Sequence, residues 1–266
     1  MTGIALLSPQ SLGRIGLYLV ALAAGSWGVE AVAARVQTGA DIEAVATRIL
    51  QDKAYTRERL VELRATDDHG HSCAAPRFEL AVIQLRLFEQ AFSSGDQQAA
   101  AVERRALDDS IAALMRCDPN ESFFPLVSAA LALGDSDEPL FIAELRRSYR
   151  NGPFENWVSL RRSPIALAHL DRLPPDLADQ AVAEFTNLVN SGLNEDAETV
   201  FVGLPAETRG RLMAGLAERA RPARHRSFIN TLLAEQKKPR KSRGARRVLE
   251  TFSLPAGTSL GPPAPH

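Results

Sequence analysis

Helix-breaking residues recur through the middle of this chain at the intervals a series of helical hairpins needs, and they constrain the fold more than any other feature. From Pro76 the apolar residues Ala81, Leu85, Phe88 and Phe92 follow at spacings of four, three and four, which places them on one helical face. Gly95-Asp96 breaks that helix, and Asp96 is positioned to cap the next one, where Leu107, Ile111 and Leu114 continue the pattern. Cys117-Asp118-Pro119 ends the second helix. A third is expected over residues 122–133, stopped by Gly134-Asp135, and a fourth over 139–150, before Asn151-Gly152-Pro153. Pro119 and Pro153 are 34 residues apart, and each opens a new pair of helices.

A helix–turn–helix period of 34 residues is that of tetratricopeptide repeats, although only about two units are legible and the full set of signature positions is missing. A plain helical bundle is the competing reading. Helices are also expected over 41–53, 57–64, 164–173, 175–191, 195–204, 206–220 and 224–236, with Leu177, Ala181, Phe185 and Leu188 sharing one face of the longest. Beyond Trp157 no clear repeat is visible. Ala, Leu, Arg and Glu, all strong helix formers, each outnumber Val and Ile, and no convincing period-two strand is present. The expected fold class is therefore all-α: antiparallel helical pairs in a solenoid or a bundle.

Residues 15–29 carry no charge, and Arg14 stands immediately before them. As a helix they reach about 22 Å, short of a hydrocarbon core of about 30 Å. Ala31–Ala34 and Val36 lengthen the run to a span if Glu30 and Arg35 sit at the interface, with Trp27 at headgroup level. An uncleaved membrane anchor leads over a cleaved secretory signal ending at Ala31-Val32-Ala33, and over an ordinary buried helix. Both leading readings carry the body across the membrane. The expected organisation is an anchor over 1–36, a helical neck and polar loop over 37–72, a helical domain over 73–236, and a tail over 237–266 that is basic and then Gly/Pro-rich. That tail is expected to remain disordered.

The chain contains two cysteines. Cys73 precedes the helix that starts near Pro76, and Cys117 follows the helix that ends near Arg116. In an antiparallel hairpin both meet at the open end, within the Cα separation of roughly 4.4–6.8 Å that a disulfide needs. An oxidising compartment is required for the bond, and the apolar leader implies one independently. Two buried thiols are the alternative.

Asp67-Asp68-His69-Gly70-His71-Ser72-Cys73 gathers ligand types that zinc accepts, but nothing downstream completes the set, so a solvated loop is the reading adopted. His169, among Ile165, Ala166, Leu167 and Leu170, reads as a packed or rim histidine. No phosphate-cradling loop, zincin helix or nucleophile elbow occurs, and neither a metal nor a cofactor is expected. The segment from Lys237 to Arg247 holds seven positive charges and no acid, which leaves a net −8 on the rest of a chain that is formally −1. Anionic lipid, acidic glycan or nucleic acid could attract it, but it lacks aromatics for base stacking, and nucleic acid conflicts with export.

Between Cys73 and about Ala197 the chain also carries Ala106-Leu107, Leu114-Met115-Arg116-Cys117-Asp118-Pro119 and the run Ser148-Tyr149-Arg150-Asn151-Gly152-Pro153-Phe154-Glu155-Asn156-Trp157-Val158. Arg161-Arg162, Glu184-Phe185 and Leu188-Val189 follow. This stretch resembles the membrane-anchored, tetratricopeptide-like periplasmic proteins of Gram-negative bacteria associated with exopolysaccharide and O-antigen biosynthesis. The most specific piece is Ser-Tyr-x-x-Gly-Pro-x-Glu-x-Trp-Val-x-x-Arg-Arg. Phe123-Phe124 stands where such repeats often place a Trp. The resemblance implies a setting rather than a mechanism: a single-pass inner-membrane protein with its body in the periplasm, whose partners are polysaccharide-assembly proteins.

Tyr149, Trp157, Arg161 and Arg162 are the candidate junction or interaction residues. Trp157 is expected to fill the junction between the repeat pair and the later helices. The two arginines are expected to cap a helix end before Ser163-Pro164, or else to face an acidic glycan. A non-enzymatic scaffold is the expected function. An exported hydrolase or metal protein using the Asp67–Cys73 loop is the alternative.

Overall fold

A computed structural model describes residues 39–65, 73, 76–153 and 155–237. The expected membrane segment, the polar loop before Cys73 and the tail beyond Lys237 lie outside the described residues. Among the described residues there are eleven helices: α1 (39–50), α2 (Arg57–Ala65), α3 (Arg77–Ser93), α4 (Gln97–Cys117), α5 (Phe123–Gly134), α6 (Glu138–Asn151), α7 (Asn156–Ala168), α8 (Pro175–Ser191), α9 (Asn194–Val202), α10 (Ala206–Arg219) and α11 (Pro222–Lys237). No strand occurs among the described residues, so the all-α reading holds there. Among them, no helix is long and apolar enough to cross a membrane. The chain divides into two compact units, one ending at Cys117 and the other starting at Asp118.

The first unit is built on the hairpin of α3 and α4. Gly95 takes a positive φ of 77°, which a residue without Cβ adopts freely, and the Asp96 carboxylate then accepts the Ala99 N–H at 2.9 Å. Ala81, Leu85 and Phe88 on α3 and Leu107, Ile111 and Leu114 on α4 are buried, as the periodicity predicts. α1 and α2 close over the other side of α3. Ile42, Val45, Leu60, Leu63, Leu80, Ile83 and Leu87 form that core, with Ile49, Tyr55 and Val61 packed against it. The open end of the hairpin carries the Cys73–Cys117 disulfide, with Cα atoms 5.4 Å apart. The bond forms where the hairpin geometry places it.

The second unit is an array of helices in two rows. α5 pairs with α6 and α7 with α8; α5, α7, α9 and α11 follow one another along one row, and along the other α8 packs on α10 and is tied to α6 through Arg146–Asp176 and Tyr149–Glu184. α5 is buried nearly all round, from Phe123 and Phe124 to Ala132, as expected of a helix enclosed by neighbours. Phe185, Phe201 and Phe228 bring α8, α9 and α11 together, with ring centroids 5.8–6.3 Å apart.

Polar ties within and between the pairs recur at a sequence offset of 30–35 residues. The Asn151 carboxamide donates to the carbonyls of Pro119 and Glu121, Ser122 Oγ donates to the Glu155 carboxylate, and Arg172 donates to Glu138. Asn190 accepts the Arg221 N–H, and Asn194 donates to Ser227 Oγ. The Pro119–Pro153 spacing is thus the spacing of a repeat-like packing. It continues past Trp157, where sequence reading loses it, because α9 has only nine residues and blurs the period.

One expected boundary is corrected. A helix end before Ser163-Pro164, with Arg161 and Arg162 as its caps, is not present: α7 runs through Pro164 to Ala168. A proline removes one i→i−4 hydrogen bond. The helix tolerates the loss because Ser159, Arg162 and Ser163 are all held by one carboxylate of α8, Glu184.

Candidate functional site

The Ser-Tyr-x-x-Gly-Pro-x-Glu-x-Trp-Val-x-x-Arg-Arg run lies in the second unit, and its residues converge on a buried network beneath an open cleft. Arg162 is fully enclosed, and Glu184 is 4% exposed. Arg162 Nε donates to Glu184 Oε1 at 3.0 Å, and Nη2 bonds the same oxygen. Nη1 donates to Ser148 Oγ at 3.0 Å, and Nη2 also reaches the Gly152 carbonyl at 2.9 Å. Ser159 Oγ and Ser163 Oγ donate to the two Glu184 oxygens at 2.7 and 3.1 Å, and the Tyr149 hydroxyl donates to Oε2 at 3.2 Å. Every nitrogen of the guanidinium and both carboxylate oxygens are therefore engaged, which is the condition under which a buried ion pair is tolerated.

Tyr149 stacks its ring on the Arg162 guanidinium at 4.1 Å. Burial first, and then the Glu184 charge, hold its hydroxyl well above the usual tyrosine pKa, so it remains a hydrogen-bond donor. Ser148 Oγ donates onward to the Ser122 carbonyl at 2.7 Å, tying α6 to the start of α5. Gly152 is required by close approach, since a Cβ there would lie 2.6 Å from Ser122 and 2.9 Å from the Glu155 carboxylate carbon. The α5 N-terminus is closed by Glu121, whose carboxylate accepts the Phe123 and Phe124 N–H groups at 2.6 Å. Burial raises the Glu121 pKa despite those bonds.

The four candidate residues are separated by this arrangement. Tyr149 and Arg162 are interior. Trp157, 37% exposed, packs on Phe123 with centroids 5.1 Å apart, and Arg161 lies over its ring at 5.5 Å while donating to the Trp157 carbonyl. Trp157 and Arg161 thus form a partly exposed aromatic–cation patch on the α5–α7 row. His169 sits edge-to-face against Phe141 at 5.7 Å, and burial lowers its pKa, as for a packed histidine. Cys73 is committed to the disulfide, so its thiolate is not free to bind zinc; the residues before it in the polar loop lie outside the described residues. No cluster able to hold a metal ion occurs among the described residues.

Above the network, α6 and α8 leave a cleft of about 470 Å³, lined by Arg146, Tyr149, Arg150, Asp176, Gln180 and Asn187 among others. Sequence reasoning reached Tyr149 but missed the α8 side. Positions 176, 180, 183, 184 and 187 form a single stripe on that helix, a spacing that signals a shared face only once α6 is known to pack beside it. Arg146 is clamped by Asp176 through contacts of 2.9–3.3 Å. Arg150, Gln180 and Asn187 are exposed, and their side chains form no hydrogen bond or ion pair among the described residues.

The first unit has a comparable buried carboxylate. Glu103 of α4 receives Arg57 and Arg64 of α2, the latter at 2.8 Å, and Gln84 of α3 at 2.8 Å. Burial alone would raise its pKa, but these donors outweigh burial and lower it. Comparison with family models, curated proteins and solved structures finds no match to this chain.

Proposed function

We propose that the chain is a non-enzymatic scaffold of envelope-polysaccharide biosynthesis or export, held at the inner membrane by its N-terminal apolar segment with its helical body in the periplasm. The observation that carries this reading is the Cys73–Cys117 disulfide across the α3–α4 hairpin, because such bonds persist in oxidising compartments. The paired helices and their 30–35-residue ties support a tetratricopeptide-like role, in which a stacked array offers continuous surface to protein partners. The resemblance of the Ser148–Arg162 run supplies the polysaccharide setting. The polar side chains of that run are accounted for by the buried network, and the partly exposed Trp157–Arg161 patch is the surface proposed to meet a partner.

The test is an in-frame deletion scored for polysaccharide amount and chain length, with a photo-crosslinking residue at position 157 in the complemented strain. Altered chain length and crosslinks to envelope-assembly proteins support the scaffold. Unchanged polysaccharide together with no crosslink contradicts it.

A further inference from the structure

We infer that the cleft between α6 and α8 binds an acidic sugar unit, a hexuronate of an anionic polysaccharide; this rests on the proposal that the chain serves envelope-polysaccharide biosynthesis or export, and adds direct contact with the polysaccharide to it. Two carboxylates line the cleft, and each is already matched: Asp176 by Arg146, and Glu184 by Arg162. The charge left over is Arg150, exposed on α6 and unpaired among the described residues. One free guanidinium suits one carboxylate, which it can hold through two parallel N–H bonds. A phosphate cluster would ask for more cations than the cleft provides.

Across from it, Gln180 and Asn187 present unengaged carboxamides on one face of α8. They are seven residues apart, or about 10 Å along the helix. Each carboxamide offers adjacent donor and acceptor atoms, which match the neighbouring hydroxyls of a sugar ring. Pro153 and Ala183, with the small exposed edge of Tyr149, supply apolar surface in the cleft, suited to the C–H face of a pyranose. The volume of about 470 Å³ falls in the range of small-molecule sites, roughly 300–1,000 Å³. An extended peptide is less well served, because recognition in that mode uses side-chain pockets or a free strand edge.

The experiment titrates the full-length protein in detergent with oligogalacturonate at physiological salt, alongside a neutral gluco-oligosaccharide of the same length and an oligoglutamate peptide. The expected result is saturable binding of the uronate only. Arg150→Ala weakens it about tenfold, as removal of one charge-assisted contact does, and Gln180→Ala or Asn187→Ala weakens it several-fold, all three with unchanged thermal unfolding. Equal binding of the neutral sugar, tighter binding of the peptide, no saturation, or indifference to Arg150→Ala overturns the inference. Because the titration uses purified protein, its failure leaves the deletion and crosslinking results standing, and the two proposals fail separately.

Discussion

Replacing Arg162 with Ala tests whether the Ser148–Arg162 run is an internal latch. The substitution leaves the Glu184 carboxylate, 4% exposed, with only the hydroxyls of Ser159, Ser163 and Tyr149 as donors. It also strips a donor from the Gly152 carbonyl and from Ser148 Oγ. Breaking a buried pair by removing one partner costs about 3–5 kcal/mol, and loss of the cation–π contact with Tyr149 adds about 1 kcal/mol. The remaining hydroxyl donors offset part of this, so a loss of about 4 kcal/mol is expected. At a urea dependence of about 2 kcal/mol per molar, the midpoint falls by about 2 M. Trp27 and Trp157 are the two tryptophans of the chain, so a Trp27→Phe background makes fluorescence report on the second unit. The double variant Arg162→Met/Glu184→Leu removes both charges and should recover to within about 2 kcal/mol of the parent. A loss below about 1 kcal/mol for Arg162→Ala, or a double variant no better than the single one, refutes the latch.

Cys73→Ser opens a loop of 44 residues and should lower the stability of the first unit by up to about 4 kcal/mol, read by chemical unfolding against the oxidised parent; no change contradicts the staple. Gly152→Ala forces a Cβ into Ser122 and Glu155 and should cost about 1–3 kcal/mol in the fluorescence assay, whereas a neutral result means that the approach is looser than described. The folded-state pKa of Glu103 is depressed, so its contribution is present above its ordinary value of 4.5 and is lost as pH falls through the folded value. Glu103→Gln should flatten that acid limb in stability-versus-pH curves. Glu89, raised by burial in the same unit, has the opposite sign but is common to both proteins and cancels in the difference.

Much of the helical framework is legible because breakers and caps act locally. Gly95-Asp96 ends α3 and caps α4 through a bond to Ala99, and the apolar stripe on α8 is buried as its spacing requires. The two polar centres are harder to read, yet each leaves a trace. Glu184 sits at the i+7 position from Leu177 and i+3 from Ala181, on a face otherwise apolar, and Glu103 lies in register with Ala100, Leu107 and Ile111. A carboxylate on a buried stripe implies a buried partner, but its identity depends on which helices meet, and that is a tertiary fact. For the same reason the adjacent Arg161 and Arg162 look alike in sequence and have different fates. A helical turn of about 100° per residue sends one guanidinium into the core and the other over Trp157. Pro164 misleads because a local rule for ending helices is overridden by the anchoring of α7 to Glu184.

The central claim is that the body works in an oxidising compartment as a disulfide-stapled helical array. The most direct measurement is a non-reducing peptide map of the full-length protein, taken from native membranes with thiols blocked at lysis. The account predicts a linked peptide pair containing Cys73 and Cys117. Recovery of both cysteines as separate, blocked thiols contradicts it and removes the basis for placing the body in the envelope.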